Sequence, residues 1–83
     1  MRKSEVKIAF GATVRSWRKR LGVSQEELAE RADLHRTYIS DVERGARNLS
    51  LESIEKLASA LEVPISALFA EADTVSQRQN DAR

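Results

Sequence analysis

The 83-residue sequence has no cysteine, a single histidine and only four aromatic residues, which are two phenylalanines, one tryptophan and one tyrosine. Without cysteine the chain forms no disulfide and no thiolate metal site, and one histidine is too few for most metal-ligand clusters. No apolar run approaches the length of a membrane span, and no apolar signal core follows the basic N-terminus. We therefore expect one cytoplasmic domain with no metal, no cofactor and no membrane association.

The net charge is low, but the charges are unevenly distributed. The formal net charge is only +1. Residues 1–20 carry seven Lys or Arg against one Glu, whereas residues 21–35 carry one Arg against four acidic residues. Residues 36–48 return to three Arg against two acidic residues. Because phosphate contacts need a basic surface and not a basic average, this distribution is compatible with nucleic-acid binding.

The most informative segment runs from Ser24 to Gly45 and reads SQEELAERADLHRTYISDVERG. Ser24, with Glu27 three residues later, predicts a capping box at the start of a helix. Gly45 predicts the left-handed residue after a second helix. The apolar residues with helical spacing are Leu28, Ala29 and Ala32 in the first helix and Leu34, Ile39 and Val42 in the second. Two short amphipathic helices joined by a tight turn are a helix-turn-helix.

The second of these helices has a polar face. At about 100° per residue its polar side chains point away from the apolar stripe. They are Arg36, Thr37, Ser40, Asp41 and Arg44. Arginine and hydroxyl groups on one helix face are suited to reading base edges in the major groove. The pattern therefore predicts sequence-specific binding of double-stranded DNA.

The remaining segments are predicted to be scaffold. We expect a helix over about residues 6–21, a fourth helix capped by Ser50 and a short fifth helix opened by Pro64. The inward positions predicted for the fourth helix are Leu51, Ile54, Leu57, Ala58 and Leu61. We expect the domain to span residues 1–70. Residues 71–83 are polar, lack an apolar stripe and are expected to be a disordered tail.

From Phe10 to Phe69 the chain resembles the Xre/Cro-like family of helix-turn-helix proteins, which is related to the lambda repressor. The matching segments are FGATVRSWRKRLGVSQEELA, ADLHRTYISDVERG and LSLESIEKLASALEVPISALF. Within that family, HRTYISDVERGARNLS is similar to the stand-alone controller proteins of restriction–modification systems. The resemblance implies a compact all-α domain of five helices. It also implies a homodimeric repressor or activator that binds pseudo-palindromic operators and regulates its own gene.

The resemblance and the polar face together assign roles to individual residues. The predicted base-contacting residues are Arg36, Thr37, Ser40 and Asp41. The predicted phosphate-contacting residues are Gln25, Tyr38, Arg44, Arg47 and Asn48. Arg18 and Glu43 match an internal ion pair of the family. Asp41 is unusual, because DNA repels a carboxylate unless it accepts from a cytosine amine; the alternative is that it holds Arg36 or Arg44 in place.

Partners follow from the same resemblance. One recognition helix reads few base pairs, so we expect a dimer whose interface uses apolar residues of the last two helices. These are Leu61, Val63, Ile65, Leu68 and Phe69; the competing interpretation is that they lie in the core of the monomer. Glu26 and Glu30 share a face and match an acidic patch that contacts RNA polymerase in lambda-type repressors. Their alternative role is to favour the helix dipole.

Two other classes of function are alternatives to DNA binding. An antitoxin-like or adaptor module would use the same fold to bind a protein, but the arginine-rich polar face is better explained by DNA. An enzyme using His35, Ser40 and Asp41 is not expected, because exposed groups on one short helix lack a pocket and an oxyanion site. With no effector domain, we also expect no small-molecule effector.

Overall fold

The computed structural model describes residues 3–81, with side chains described for residues 5–75. It contains five helices and, within the described residues, no strand. The helices are α1 (Lys3–Leu21), α2 (Gln25–Ala32), α3 (Arg36–Glu43), α4 (Leu51–Leu61) and α5 (Ile65–Asp81). This confirms the predicted all-α, five-helix class. Over residues 3–81, no helix has both the length and the apolar character needed to cross a membrane.

The predicted signals set the helix boundaries. The Ser24 hydroxyl accepts the backbone N–H of Glu27 at 3.0 Å at the start of α2, and Ser50 does the same for α4. Gly22 follows α1 with φ +78°, and Gly45 follows α3 with φ +73°. Glycine suits both positions because a left-handed backbone carries no Cβ penalty there. Asp33 ends α2 in the same left-handed region.

The core lies where α1 packs against α3, α4 and α5, while α2 packs against α3 and α4. Its largest fully buried apolar side chains are Leu28, Ile39, Leu57, Leu68, Val14 and Val42. Gly11 allows α1 to approach α3 closely, since a Cβ at this position would lie 2.2 Å from the Val42 carbonyl oxygen. The apolar stripe of α3 is therefore held against α1, which leaves its polar face outward.

Residues 71–81, which the sequence analysis assigns to the tail, are helical in the structure. Helix α5 continues without a break to Asp81, and Ala72 is buried. Glu71 accepts a hydrogen bond from Arg20 of α1 at 3.2 Å, and Val75 packs against the core. Between residues 71 and 81 the sequence has just two apolar residues, Ala72 and Val75, which are too few to reveal a helical stripe. Residues 82 and 83 lie outside the described residues.

One prediction about an apolar residue was wrong: Leu51 was expected to face inward but is 84% exposed, because it opens α4 at the edge of the domain. For Leu61 and Leu68, the sequence left open a dimer interface or the core of the monomer. They are 2% and 0% exposed and belong to the core of this chain. Ile65 and Phe69 are exposed, as an interface requires.

A buried ion pair joins the helices that carry the polar face. Arg18 of α1 donates from Nε and Nη2 to the two carboxylate oxygens of Glu43 in α3, at 2.6 and 3.1 Å. Its Nη1 donates to the carbonyl of Val23 at 2.9 Å. The side chains of Arg18 and Glu43 are only 12% and 4% exposed. This confirms the predicted internal ion pair and fixes the end of α3 relative to α1 and to the turn before α2.

We expect Arg18→Met or Glu43→Met to lower the free energy of unfolding by about 3 kcal/mol each, since each leaves a buried charge unpaired. The double substitution should cost less than the sum, because neither charge then remains. Thermal or urea unfolding of the four proteins measures this coupling. Arg31→Met is the control, because its ion pair with Glu27 is exposed and should contribute less than about 1 kcal/mol. Strictly additive losses for Arg18 and Glu43 would contradict the prediction.

Candidate nucleic-acid interface

Helices α2 and α3 form the helix-turn-helix around a turn of three residues, Asp33, Leu34 and His35. The Leu34 N–H donates to the Ala29 carbonyl at 2.9 Å, which closes the end of α2. His35 is the N-cap of α3 in an extended conformation, and its side chain makes no capping hydrogen bond. The first turn of α3 thus starts at the protein surface, while the buried residues of this helix, Ile39 and Val42, lie in the core.

The N-terminal end of α3 presents unpaired polar groups. Arg36 and Thr37 are exposed, and neither side chain has a hydrogen bond or ion pair within the described part of the chain. Arg36 borders a cleft of about 390 Å³ between the starts of α2 and α3. The cleft is lined by Arg18, Ser24, Gln25, Glu26 and Arg36. An arginine with all its donors free beside an open cleft can form bidentate hydrogen bonds to an external acceptor.

Gln25 lies at the start of α2, on the wall of this cleft. Its Nε2 donates to Glu43 Oε1 at 3.1 Å, so the buried ion pair also orients the glutamine amide. A side-chain amide nitrogen has two N–H donors. One of them remains for an external acceptor, beside the backbone N–H groups of the first helical turn that have no partner within the helix.

The C-terminal end of α3 is internally paired, unlike its N-terminal end. Asp41 accepts hydrogen bonds from two arginines, Arg44 at the C-cap of α3 and Arg47 in the following loop, the latter at 2.9 Å. Arg44 also donates to the Ser40 hydroxyl at 3.0 Å. The Arg47 guanidinium lies 4.7 Å from the centre of the Tyr38 ring, which is a cation–π distance. We call these five residues the Asp41 cluster.

The structure therefore divides the nine predicted DNA-contacting residues into groups. Arg36 and Thr37 are free at one end of α3, with Gln25 beside them. Ser40, Asp41, Arg44, Arg47 and Tyr38 form the Asp41 cluster at the other end. Asn48 is exposed and borders a separate apolar cavity of about 180 Å³ together with Phe10 and Phe69. The structure thus realises the alternative in which Asp41 holds Arg44, and Arg36 remains without a partner in the described chain.

Only part of the Asp41 cluster could be predicted from the sequence. Asp41 and Arg44 are three apart on a helix, a spacing at which side chains meet. Arg47 lies beyond Gly45, so its return to Asp41 and Tyr38 depends on the path of the loop after α3. Among the described side chains, no group of three His, Cys, Asp or Glu residues is arranged as a metal site.

Comparison with known proteins identifies the family. The helix-turn-helix family model matches residues 14–68. The control protein C.BamHI of Bacillus amyloliquefaciens is 52% identical over 61 residues, which cover 72% of this chain and 75% of that protein. The control protein C.MunI of a Mycoplasma species is 41% identical over 69 residues, 82% of this chain and 93% of that one.

A solved structure shows the same fold in a DNA complex. It is the tetramer of the restriction–modification controller protein C.Esp1396I with its natural 35-base-pair operator. The two chains superpose with a TM-score of 0.80 at 32% identity, over 87% of this chain and 95% of that one. With the family match and two control proteins covered over most of their length, the chain belongs to the helix-turn-helix family and, within it, to the control proteins.

Proposed function

We propose that this protein is a transcription regulator that binds pseudo-palindromic operator DNA as a homodimer and controls its own gene as a restriction–modification controller. The observation that carries the proposal is the exposed start of α3, where the side chains of Arg36 and Thr37 have no partner within the described chain and Arg36 borders an open cleft. The operator complex of C.Esp1396I supports it, since that controller shares the fold over 87% of this chain.

Two kinds of contact would contribute to binding, one to the phosphates of the DNA backbone and one to the edges of the bases. Contacts to phosphates would come from the first turn of α2 and from Gln25, Arg44 and Arg47. Such contacts give salt-sensitive affinity for any duplex. Arg36 is suited to a guanine, whose O6 and N7 accept a bidentate pair in the major groove. Thr37 is short and exposed, and is placed to contact a neighbouring base edge. No step of this mechanism needs a cofactor or an enzymatic reaction.

Dimerisation is proposed through the exposed apolar side chains near α5. Ile65 and Phe69 are 42% and 39% exposed, and Leu51 at the start of α4 is 84% exposed. Val63 is half-buried and lies two residues before Ile65 in the chain. Exposed apolar side chains of this size favour burial against a second copy. A two-fold dimer would present its two α3 helices to half-sites about 34 Å apart, one turn of DNA.

An additional contact with RNA polymerase is proposed for Glu26 and Glu30. Both are exposed on α2, four residues apart, and neither has a partner within the described chain. Two free carboxylates on the outer face of α2 form an acidic patch beside the proposed DNA surface. Such a patch is accessible to a basic surface of a polymerase bound at an adjacent promoter.

The proposal is tested by selecting duplexes from a random DNA pool at near-physiological salt. We expect the wild-type protein to enrich a two-fold symmetric site. Arg36→Ala should lose about 1–3 kcal/mol of operator affinity and accept other base pairs at one position of each half-site. Arg47→Ala is the matched control, because loss of a phosphate contact should weaken all duplexes similarly.

Two outcomes would count against this assignment. If the wild-type protein enriches no sequence and binds only in a salt-sensitive manner, the adaptor function is favoured and a protein partner should be sought. If the wild-type protein does select a site but Arg36→Ala weakens specific and random duplexes equally, then Arg36 contacts the backbone and not a base.

We expect sedimentation equilibrium at tens of micromolar to show a dimer for the wild-type protein and a monomer for Ile65→Glu, because the charge would have to be desolvated at the interface. Leu51→Glu is a second variant for which we expect a monomer. A glutamate in the first turn of α4 suits the helix dipole, so it should not disturb the fold of the single chain. Lys19→Glu, on the exposed face of α1, is the control for added charge. A monomeric wild type would contradict the proposed dimer.

For the acidic patch, we expect Glu26→Gln with Glu30→Gln to leave operator affinity within about twofold while lowering transcription in vitro from a promoter beside the operator. Glu52→Gln with Glu55→Gln, an exposed acidic pair on α4, provides the control. Unchanged transcription with the α2 variant would exclude a role of this patch in activation.

A further inference from the structure

We infer that Asp41 is a positioning residue for DNA binding, whose carboxylate holds Arg44 and Arg47 together as a preformed pair of phosphate ligands. The inference deepens the proposed function and rests on it. It assigns to Asp41 a role other than the base contact predicted from the sequence.

The two oxygens of the Asp41 carboxylate accept hydrogen bonds from different arginines. Oδ1 accepts from Nη2 of Arg44, and Oδ2 accepts from Nη2 of Arg47 at 2.9 Å. The Asp41 side chain is only 21% exposed, whereas those of Arg44 and Arg47 are 63% and 42% exposed. The acid thus lies beneath two outward-facing guanidinium groups. A guanidinium has five N–H donors, so both arginines keep donors for an external oxygen.

Each arginine has a second restraint besides Asp41. Arg44 donates to the Ser40 hydroxyl, and Arg47 lies over the Tyr38 ring. Tyr38 packs against the core, so the stacked guanidinium is tied to the body of the domain. A free arginine side chain loses rotamer freedom when it binds a ligand, and a preformed arrangement reduces that loss. The restraint matters most for Arg47, because it belongs to the loop between α3 and α4.

Charge alone predicts the opposite effect of Asp41. A carboxylate near the DNA-facing surface repels phosphates, so its removal should tighten binding to every duplex. If Asp41 positions the arginines, its removal should weaken binding to the operator even though the protein gains positive charge. The two roles therefore predict changes of opposite sign, which makes a single substitution decisive.

The experiment measures the affinity of the full chain for its selected operator by fluorescence anisotropy at fixed salt. We expect Asp41→Asn to weaken operator binding about fivefold or more, as expected when phosphate contacts are lost. In an Arg44→Ala/Arg47→Ala background, the same substitution should no longer weaken binding and should tighten it about twofold, since only the repulsion remains. Tighter or unchanged binding by Asp41→Asn alone would overturn the inference, as would an equal loss in both backgrounds.

Two further variants separate positioning from charge and from folding. Asp41→Glu keeps the charge but lengthens the side chain, so we expect it to weaken operator binding as well; unchanged affinity would overturn the inference. Asp33→Asn removes the same charge from a side chain that is 97% exposed and outside the Asp41 cluster, in a left-handed position that asparagine tolerates. It should leave operator affinity unchanged or slightly tighter. Thermal unfolding of each variant verifies that the fold is intact.

Failure of this inference is distinguishable from failure of the proposed function. If the wild-type protein does not prefer the selected operator to a scrambled duplex, the proposed function fails, and this inference fails with it. If the wild-type protein discriminates between the two duplexes but Asp41→Asn binds the operator as well as the wild type does, only the positioning role of Asp41 is excluded.

Discussion

The geometry of the helix-turn-helix depends on the buried contact between Arg18 and Glu43. Arg18 connects the end of α1 to the Val23 carbonyl and to the end of α3, and Glu43 also accepts from Gln25 at the start of α2. Three helices therefore meet at one nearly buried carboxylate, and Arg18 also binds the turn before α2. Because an unpaired buried charge is costly, these groups can satisfy one another only in a narrow range of relative positions. The contact thus fixes α3 as well as stabilising the domain.

Close packing between α1 and α3 adds a second constraint. Gly11 lies against the backbone at Val42, where a side chain would collide with the carbonyl oxygen. The helices approach closely at this point, while Arg18 and Glu43 set their alignment about two turns farther along α1. Because the apolar side of α3 packs against α1, its polar residues cannot be buried in the core as well. They remain on the surface, which is where a DNA ligand needs them.

The outer side of α3 combines free and paired arginines, and the two kinds suit different tasks. Arg36 has no partner in the described chain and is available for directional hydrogen bonds to a base. Arg44 and Arg47 share the Asp41 carboxylate, so much of their conformational freedom is already lost before any ligand binds. Phosphates have the same spacing in every duplex, so a fixed pair is suited to them. A low net charge is compatible with DNA binding when arginines are arranged in this way.

The helix-turn-helix could be predicted from the sequence alone, because its capping residues, glycines and apolar spacing act locally. Ser24, Gly45 and the stripe of Leu28, Ala29 and Ala32 took the predicted places, and the exposed position of Arg36 followed from helical periodicity. Contacts between distant segments, in contrast, depended on the tertiary packing. This packing paired Arg47 with Asp41 across a loop, assigned Leu61 and Leu68 to the core and ordered α5 against α1. These outcomes depend on how the helices pack, which local periodicity does not specify.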